Sequence, residues 1–279
     1  MYYNYLVIII LNSIFIYLFS LQYFDHPQSF TLNSVYPPTV NSTFESRCPK
    51  IIHQIVPYLN DVPSGLYNTI LHNIRLNPEF EYRIYDYKSA KEIFEREFEP
   101  SYLSAYIASE SYQLKTDFTK LAFVHKYGGF FLDIQYICYY KFLNLLKYNN
   151  VFFVQVKKID DMDLSLLVSH PNNPGIKKAL DYARNNLINH NYCNTFKRIT
   201  SGTVLRDELF NVGYLSDYAV CNIDPDHNVK LKHSSTIILK KYPSFDKENI
   251  THNLLPDVTL DYQEHLLFKE TVMFNNIIG

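Results

Sequence analysis

The stretch KLAFVHKYGGFFLDIQY, residues 120 to 136, constrains the fold more than any other part of the chain. Leu114, Phe118, Leu121 and Ala122 recur at i, i+4, i+7 and i+8, the spacing of one apolar helical face. That helix is expected from about Ser101 to Tyr127, and the pair Gly128–Gly129 supplies its stop. Phe130, Phe131 and Leu132 then form a continuous apolar strand, the pattern of a strand covered on both faces. Asp133 follows at once. A buried carboxylate needs a partner, because leaving it alone costs several kcal/mol, roughly.

The same alternation runs along the chain. PKIIHQIVP, residues 49 to 57, reads as a strand between prolines, with His53 and Gln54 as its polar positions. Ser89-Ala90-Lys91-Glu92 matches a capping box, and Ile93, Phe94 and Phe98 continue the helix as far as Pro100. VFFVQV (151 to 156) and LSLLVS (164 to 169) read as strands, and Pro174 opens a helix that reaches residue 187. Continuous apolar strands between amphipathic helices predict an α/β domain: a Rossmann-like, mainly parallel sheet flanked by helices. Ligands of such sheets bind where the chain leaves the carboxyl ends of strands. Asp133 stands at such an end, and His53 and Gln54 are expected near the end of the first strand.

Several function classes are disfavoured. Lys and Arg total 26 against 28 acids, a net charge of −2, without the basic excess of a nucleic-acid binder. With 7 glycines and only one adjacent pair, the chain shows neither G-x-x-x-x-G-K-[ST] nor G-x-G-x-x-G. G-x-S-x-G, H-E-x-x-H and C-x-x-C are missing too.

The chain is expected to divide at 24 and 47. Tyr5 to Leu21 is almost wholly apolar, about 17 residues or roughly 25 Å of helix, enough for a thin bilayer. No basic region precedes it and no A-x-A-like site follows, so residues 1–24 are expected as one N-terminal membrane helix with a short tail; a cleaved signal and a core segment are the alternatives. Residues 25–47, rich in Pro, Ser, Thr and Asn, read as a stem, and 48–279 as the globular domain. Sequons at Asn41 and Asn249 fit a glycoprotein with a lumenal domain. Of three possible pairings of four cysteines, Cys193 with Cys221 is the expected bridge, against free buried thiols. The localisation these features predict is a single-pass type II membrane protein facing the Golgi or ER lumen.

An acid at a strand end, with no glycine-rich loop, suits a hard cation carrying a phosphate. Mg2+ and Mn2+ take oxygen ligands, often one or two carboxylates plus phosphates. Such an ion stabilises charge on a leaving nucleoside diphosphate.

Read together, PKIIHQIV (49 to 56) and KTDFTKLAFVHKYGGFFLDIQY (115 to 136) resemble the DXD-type glycosyltransferases of family 32. NPEFEYRIYDYKSAKEIFEREF (77 to 98), DLSLLVSHPNNPGIKKAL and TSGTVL (200 to 205) are similar to the segments between and after. The likeness covers roughly 48 to 245 and implies a GT-A fold, a nucleotide-sugar donor, Mn2+ or Mg2+ and retention of configuration. By that resemblance Asp133 is the first acid of the DXD motif and, with Gln135, a metal ligand. Asp133 and Asp117 are the catalytic candidates. His53, Gln54, Asp117, Lys120 and Gly129 are the donor-binding ones.

Two positions depart from the pattern. Lys120 stands where an Arg is common, giving a point charge in place of a planar fork. Gln135 replaces the second acid, and an amide oxygen ligates a cation without a full charge. Weakened cation binding follows, or a substitute ligand among His252, Asn253 and His265. The literal D-x-D matches at 161–163 and 224–226 read instead as a solvated loop and a Pro turn. Tyr136 to Tyr140 reads as packing. The expected function is transfer of a hexose or N-acetylhexosamine from a nucleotide-sugar to a glycan or glycolipid hydroxyl. The rival is a non-catalytic nucleotide-sugar- or glycan-binding descendant of the same fold.

Overall fold

The computed structural model describes residues 29–109, 111–146, 152–156, 161–190, 221–223, 228–231 and 236–241. In chain order the elements begin with β1 (Ser29–Phe30), β2 (Val35–Tyr36), β3 (Ile51–Ile55), β4 (Val62–Pro63), α1 (Ser64–Leu76), β5 (Glu81–Tyr85), α2 (Tyr87–Glu97) and α3 (Pro100–Ala108). Then come α4 (Tyr112–Tyr127), β6 (Gly129–Leu132), β7 (Tyr136–Cys138), α5 (Phe142–Leu145), β8 (Phe152–Val156) and β9 (Asp161–Ser169). The last are α6 (Pro174–Ile188), β10 (Cys221–Ile223), β11 (Val229–Leu231) and β12 (Ile237–Lys241).

Ten of these strands join in the order β2-β5-β3-β6-β9-β8-β10-β11-β12-β7, and β1 pairs with β4. The second to fourth strands of that order are parallel: β3 lies between β5 and β6, with Ile52 opposite Tyr82 on one side and Phe130 on the other. β8 and β10 are parallel as well, whereas β9 runs antiparallel to both β6 and β8. The architecture is therefore mixed α/β, and the parallel arrangement holds where the predicted strand-end site lies.

Successive residues of β3 and β6 face opposite sides, which explains their uninterrupted apolar run. Ile55 and Phe131 enter the core beneath α2, α3, α4 and α6, with Phe94, Phe118, Phe123 and Leu180. Ile52, Phe130 and Leu132 enter the opposite core with Ile70 of α1, Tyr82 and Leu166.

Several expectations are corrected. The single helix expected over 101–127 is two. The Ser109 N–H bonds back to Ala105 and Tyr106 to close α3, and the Ser111 side chain accepts from the Leu114 N–H to open α4. The capping box lies three residues earlier than expected: Asp86 is the N-cap of α2, and Ser89 is the partner that returns the bond. Part of the expected stem is built into the domain, since β2 pairs with β5 and Leu32 is buried. Residues 161–163 open strand β9 and are not a loop.

The buried face of helix α1 carries Leu66, Thr69, Ile70 and Asn73. Asn73 accepts from the Cys138 N–H at 2.8 Å. Asn77, just past its end, accepts from the Phe142 N–H at 2.7 Å. Cys48 and Cys138 are free and buried. Cys193, the Cys221 side chain, Asn249, 224–226, His252, Asn253, His265 and the segment 5–21 lie outside the described residues. Among the described residues no helix is long and apolar enough to cross a membrane.

Candidate functional site

Asp133 leaves the carboxyl end of β6 with its N–H donated to the Ser165 carbonyl of β9, 2.9 Å away. The chain then turns. The Tyr136 N–H returns to the Asp133 carbonyl at 3.2 Å, and the Gln135 N–H donates to Asp133 Oδ1 at 3.2 Å. A short acid at the first position of a β-turn commonly bonds the backbone two residues on. Local turn chemistry thus places an acid here before any function is considered.

Helix α4 brings the partners. Asp117 and Lys120 stand one turn apart on its buried face. Lys120 Nζ lies 3.1 Å from Asp117 Oδ1 and 3.0 Å from Asp133 Oδ2, with the lysine side chain only 1% exposed. The carboxylate side chains are 11% and 15% exposed, so this ion triad has one edge open to solvent. Gln113 Nε2 donates to Asp117 Oδ2 at 2.9 Å. The ring of Phe131 lies beside the ammonium, 5.9 Å from Nζ to its centroid.

Two carboxylates and one ammonium sum to a charge of −1. Burial works against the Lys120 ammonium, but Asp133 and Asp117 outweigh it and hold its pKa above the ordinary lysine value. Burial pushes the Asp117 carboxyl up, and Lys120 and Gln113 offset this only in part. The asymmetry has a plain cause: the ammonium faces two carboxylates, whereas Asp117 faces one cation from a dry position.

The other predicted residues fall in different places. Gln54 points into the opposite core, where its Oε1 accepts from the Tyr82 hydroxyl at 2.8 Å. Its Nε2 donates to the Asp133 carbonyl at 3.4 Å, supporting the turn from behind. His53 is central in β3, not near its end, and is fully buried. Its Nε2 lies 2.9 Å from the Gly128 carbonyl, which can only accept, so this nitrogen carries the proton. Nδ1 then accepts from the Tyr85 hydroxyl at 3.0 Å. Burial above all pushes the imidazole pKa down to about 3, so the ring is neutral.

Gly129 stands at the far end of β6 from Asp133. Its φ is +92°, and a Cβ there would sit 2.5 Å from the Ile51 carbonyl oxygen. It is a glycine of close strand approach. The structure therefore gathers Asp117, Lys120 and Asp133, with Gln54 behind and Gln135 in the turn. It leaves His53 in a separate network with Tyr85 and Gly128, and Gly129 packed against the Ile51 backbone. Gln113 went unread in the sequence, although its place four residues before Asp117 is the helical signal for contact.

A divalent cation was expected at Asp133 and Gln135. At Asp133, Oδ2 already accepts from an ammonium and Oδ1 from a backbone N–H. Gln135 offers only a neutral amide. No three Asp, Glu, His or Cys side chains among the described residues group to hold a metal. Around 133–135 the described residues thus offer a divalent cation one carboxylate, bonded already through both oxygens, and one neutral amide.

Residues 60–152, which include α4, β6 and the turn, match a family described as "Glycosyltransferase sugar-binding region containing DXD motif". A protein of Acanthamoeba polyphaga mimivirus named as an uncharacterized glycosyltransferase is 26% identical over 167 residues, 58% of this chain. The match spans 64% of that relative's length. A solved structure, the PaToxG glycosyltransferase, is 18% identical and covers 59% of this chain and 69% of its own, at a TM-score of 0.46. The family and the viral relative support a general kinship with glycosyltransferases.

Proposed function

We propose that the chain transfers a hexose or N-acetylhexosamine from a nucleotide-sugar to a hydroxyl of a glycan or glycolipid, with retention of configuration. The single observation that carries this reading is the Asp117–Lys120–Asp133 triad, at a strand's carboxyl end and inside the segment with the glycosyltransferase match.

The chemistry asked of these residues is modest. In the reaction the anomeric carbon exchanges its bond to a phosphate oxygen for a bond to the acceptor oxygen, and the acceptor's proton is released. Carboxylates with lone pairs to spare accept hydrogen bonds from sugar hydroxyls and so fix the ring. A buried ammonium beside them attracts the charge that grows on the departing diphosphate, an effect strengthened where water is excluded. No side chain is assigned as a nucleophile. The cytosolic tail, membrane anchor and lumenal orientation read from residues 1–47 belong to the same proposal.

The test is release of nucleoside diphosphate by the purified full chain across a panel of nucleotide-sugars, with and without simple glycan acceptors. Release with one donor, lost in Asp117→Asn, supports the reading. A folded protein that releases nothing with any pairing refutes it.

One observation favours a second reading. Gln135 and the engagement of both Asp133 oxygens suit a protein that binds a nucleotide-sugar without turning it over. That reading expects saturable donor binding by calorimetry with no product after prolonged incubation.

A further inference from the structure

We propose that the Lys120 ammonium, clamped between Asp117 and Asp133, supplies the positive charge for which such a site would otherwise recruit a divalent cation, so that transfer runs without one. This rests on the transferase reading above.

Position is the first support. The ammonium occupies the inner side of Asp133, 3.0 Å from Oδ2. A metal ligated by that oxygen at about 2.1 Å would lie within about 5 Å of a fixed positive charge. The other oxygen is turned to the Gln135 N–H at 3.2 Å, which also repels a cation.

Charge balance is the second. With a second acid at 135 the local sum would be −2, matching a divalent cation. With Gln135 it is −1, from two carboxylates and Lys120. Loss of an acid at 135 removes the negative charge that a divalent cation would answer, while Lys120 keeps the positive charge that an Arg would carry there.

Burial is the third. The Lys120 side chain is 1% exposed and spends two of its N–H donors on Asp117 and Asp133. It acts on the donor through space, as a fixed charge behind the two carboxylates. The two carboxylates keep Lys120 charged while dry, a condition for electrostatic help without reorganisation.

Two measurements on the full chain test the proposal. The first titrates Mn2+ alone into metal-free protein and reads bound ion by electron paramagnetic resonance. Wild type is expected to bind no Mn2+ below the millimolar range. The second measures transfer in EDTA and in Mn2+. Wild type should keep its rate within about twofold in EDTA. Lys120→Met should lose at least about 100-fold in EDTA and recover part of that in Mn2+, while Lys120→Arg keeps more activity than Lys120→Met.

Micromolar Mn2+ binding by wild type, or turnover lost in EDTA and restored by Mn2+, overturns the proposal and leaves the transferase reading standing. No turnover with any donor in either condition overturns both. Should Lys120→Met fail to fold, the two wild-type measurements alone separate these outcomes.

Discussion

Two buried polar networks share the strands β3 and β6, and they answer burial in opposite ways. Towards Gly128, His53 is neutral and saturated: each ring nitrogen has one partner, and nothing of the side chain reaches solvent. Beyond the other end of β6, Asp117, Lys120 and Asp133 keep their charges, sum to −1 and show an open edge. A saturated neutral node costs little to bury and can do little. A charged node with spare lone pairs costs more and is poised to bind. Burial alone therefore does not separate scaffold from site; the difference lies in what remains unspent after internal partners are counted.

The largest expected effect comes from the charged node. Lys120→Met leaves two nearly buried carboxylates without their cation, a change that typically costs about 3–5 kcal/mol. Urea unfolding at neutral pH measures it. A loss under about 1 kcal/mol would mean that water already reaches the triad, and the contrast between the nodes would weaken.

Next in size is Gly129→Ala, which strikes the His53 end. Its φ of +92° disfavours any side chain, and the new Cβ would press on the Ile51 carbonyl at 2.5 Å. Backbone strain and overpacking together predict a loss of about 3 kcal/mol, read from the same unfolding curves.

The neutral node should also show itself through pH. The His53 pKa is about 3 in the fold against 6.5 unperturbed. Between those values the unfolded chain binds the extra proton, so stability falls as pH falls from 6.5 towards 3. From pH 6.5 to 4.5 the loss is roughly 2 kcal/mol. His125, also lowered by burial, acts in the same sense, so the difference between wild type and His53→Gln isolates the His53 share. Glu97 and Asp181, both held low, lose their contribution only as pH falls through the carboxylate range. A His53→Gln protein with the wild-type slope over this window would show that the ring is not buried neutral.

How far the sequence reveals this division depends on the length scale of each signal. The apolar run Phe130–Leu132, the Gly128 stop and the spacing of Leu114, Phe118 and Leu121 are local, and they predict α4, β6 and the placement of Asp133 after it. Asp117 and Lys120 stand close along one helix, so their partnership is readable as well. The place of His53 is not. The ligands of its ring, Tyr85 and Gly128, come from two other parts of the chain, and only strand register brings them together. The same holds for α1, whose buried asparagines bind backbone more than 60 residues away. The break at Ser109–Ser111 is local yet hidden, because a capping serine inside an apolar stripe is masked by the stripe.

The smallest effect makes the sharpest comparison, because one hydrogen bond from a neutral donor can be removed from each node. Tyr85→Phe takes the donor from His53 Nδ1, and Gln113→Ala takes the donor from Asp117 Oδ2. Tyr85→Phe should cost about 1 kcal/mol and Gln113→Ala about 2 kcal/mol, since the second bond ends on a charged carboxylate. In Gln113→Ala the Asp117 carboxyl loses a contact that lowers its pKa, so it moves further up and its hold on a sugar hydroxyl changes. Donor kcat/KM should then fall several-fold in Gln113→Ala and stay at the wild-type value in Tyr85→Phe, with both proteins folded under the assay conditions. If the two variants lost activity alike, activity would be tracking stability, and the triad would have no better claim to the donor than the histidine network.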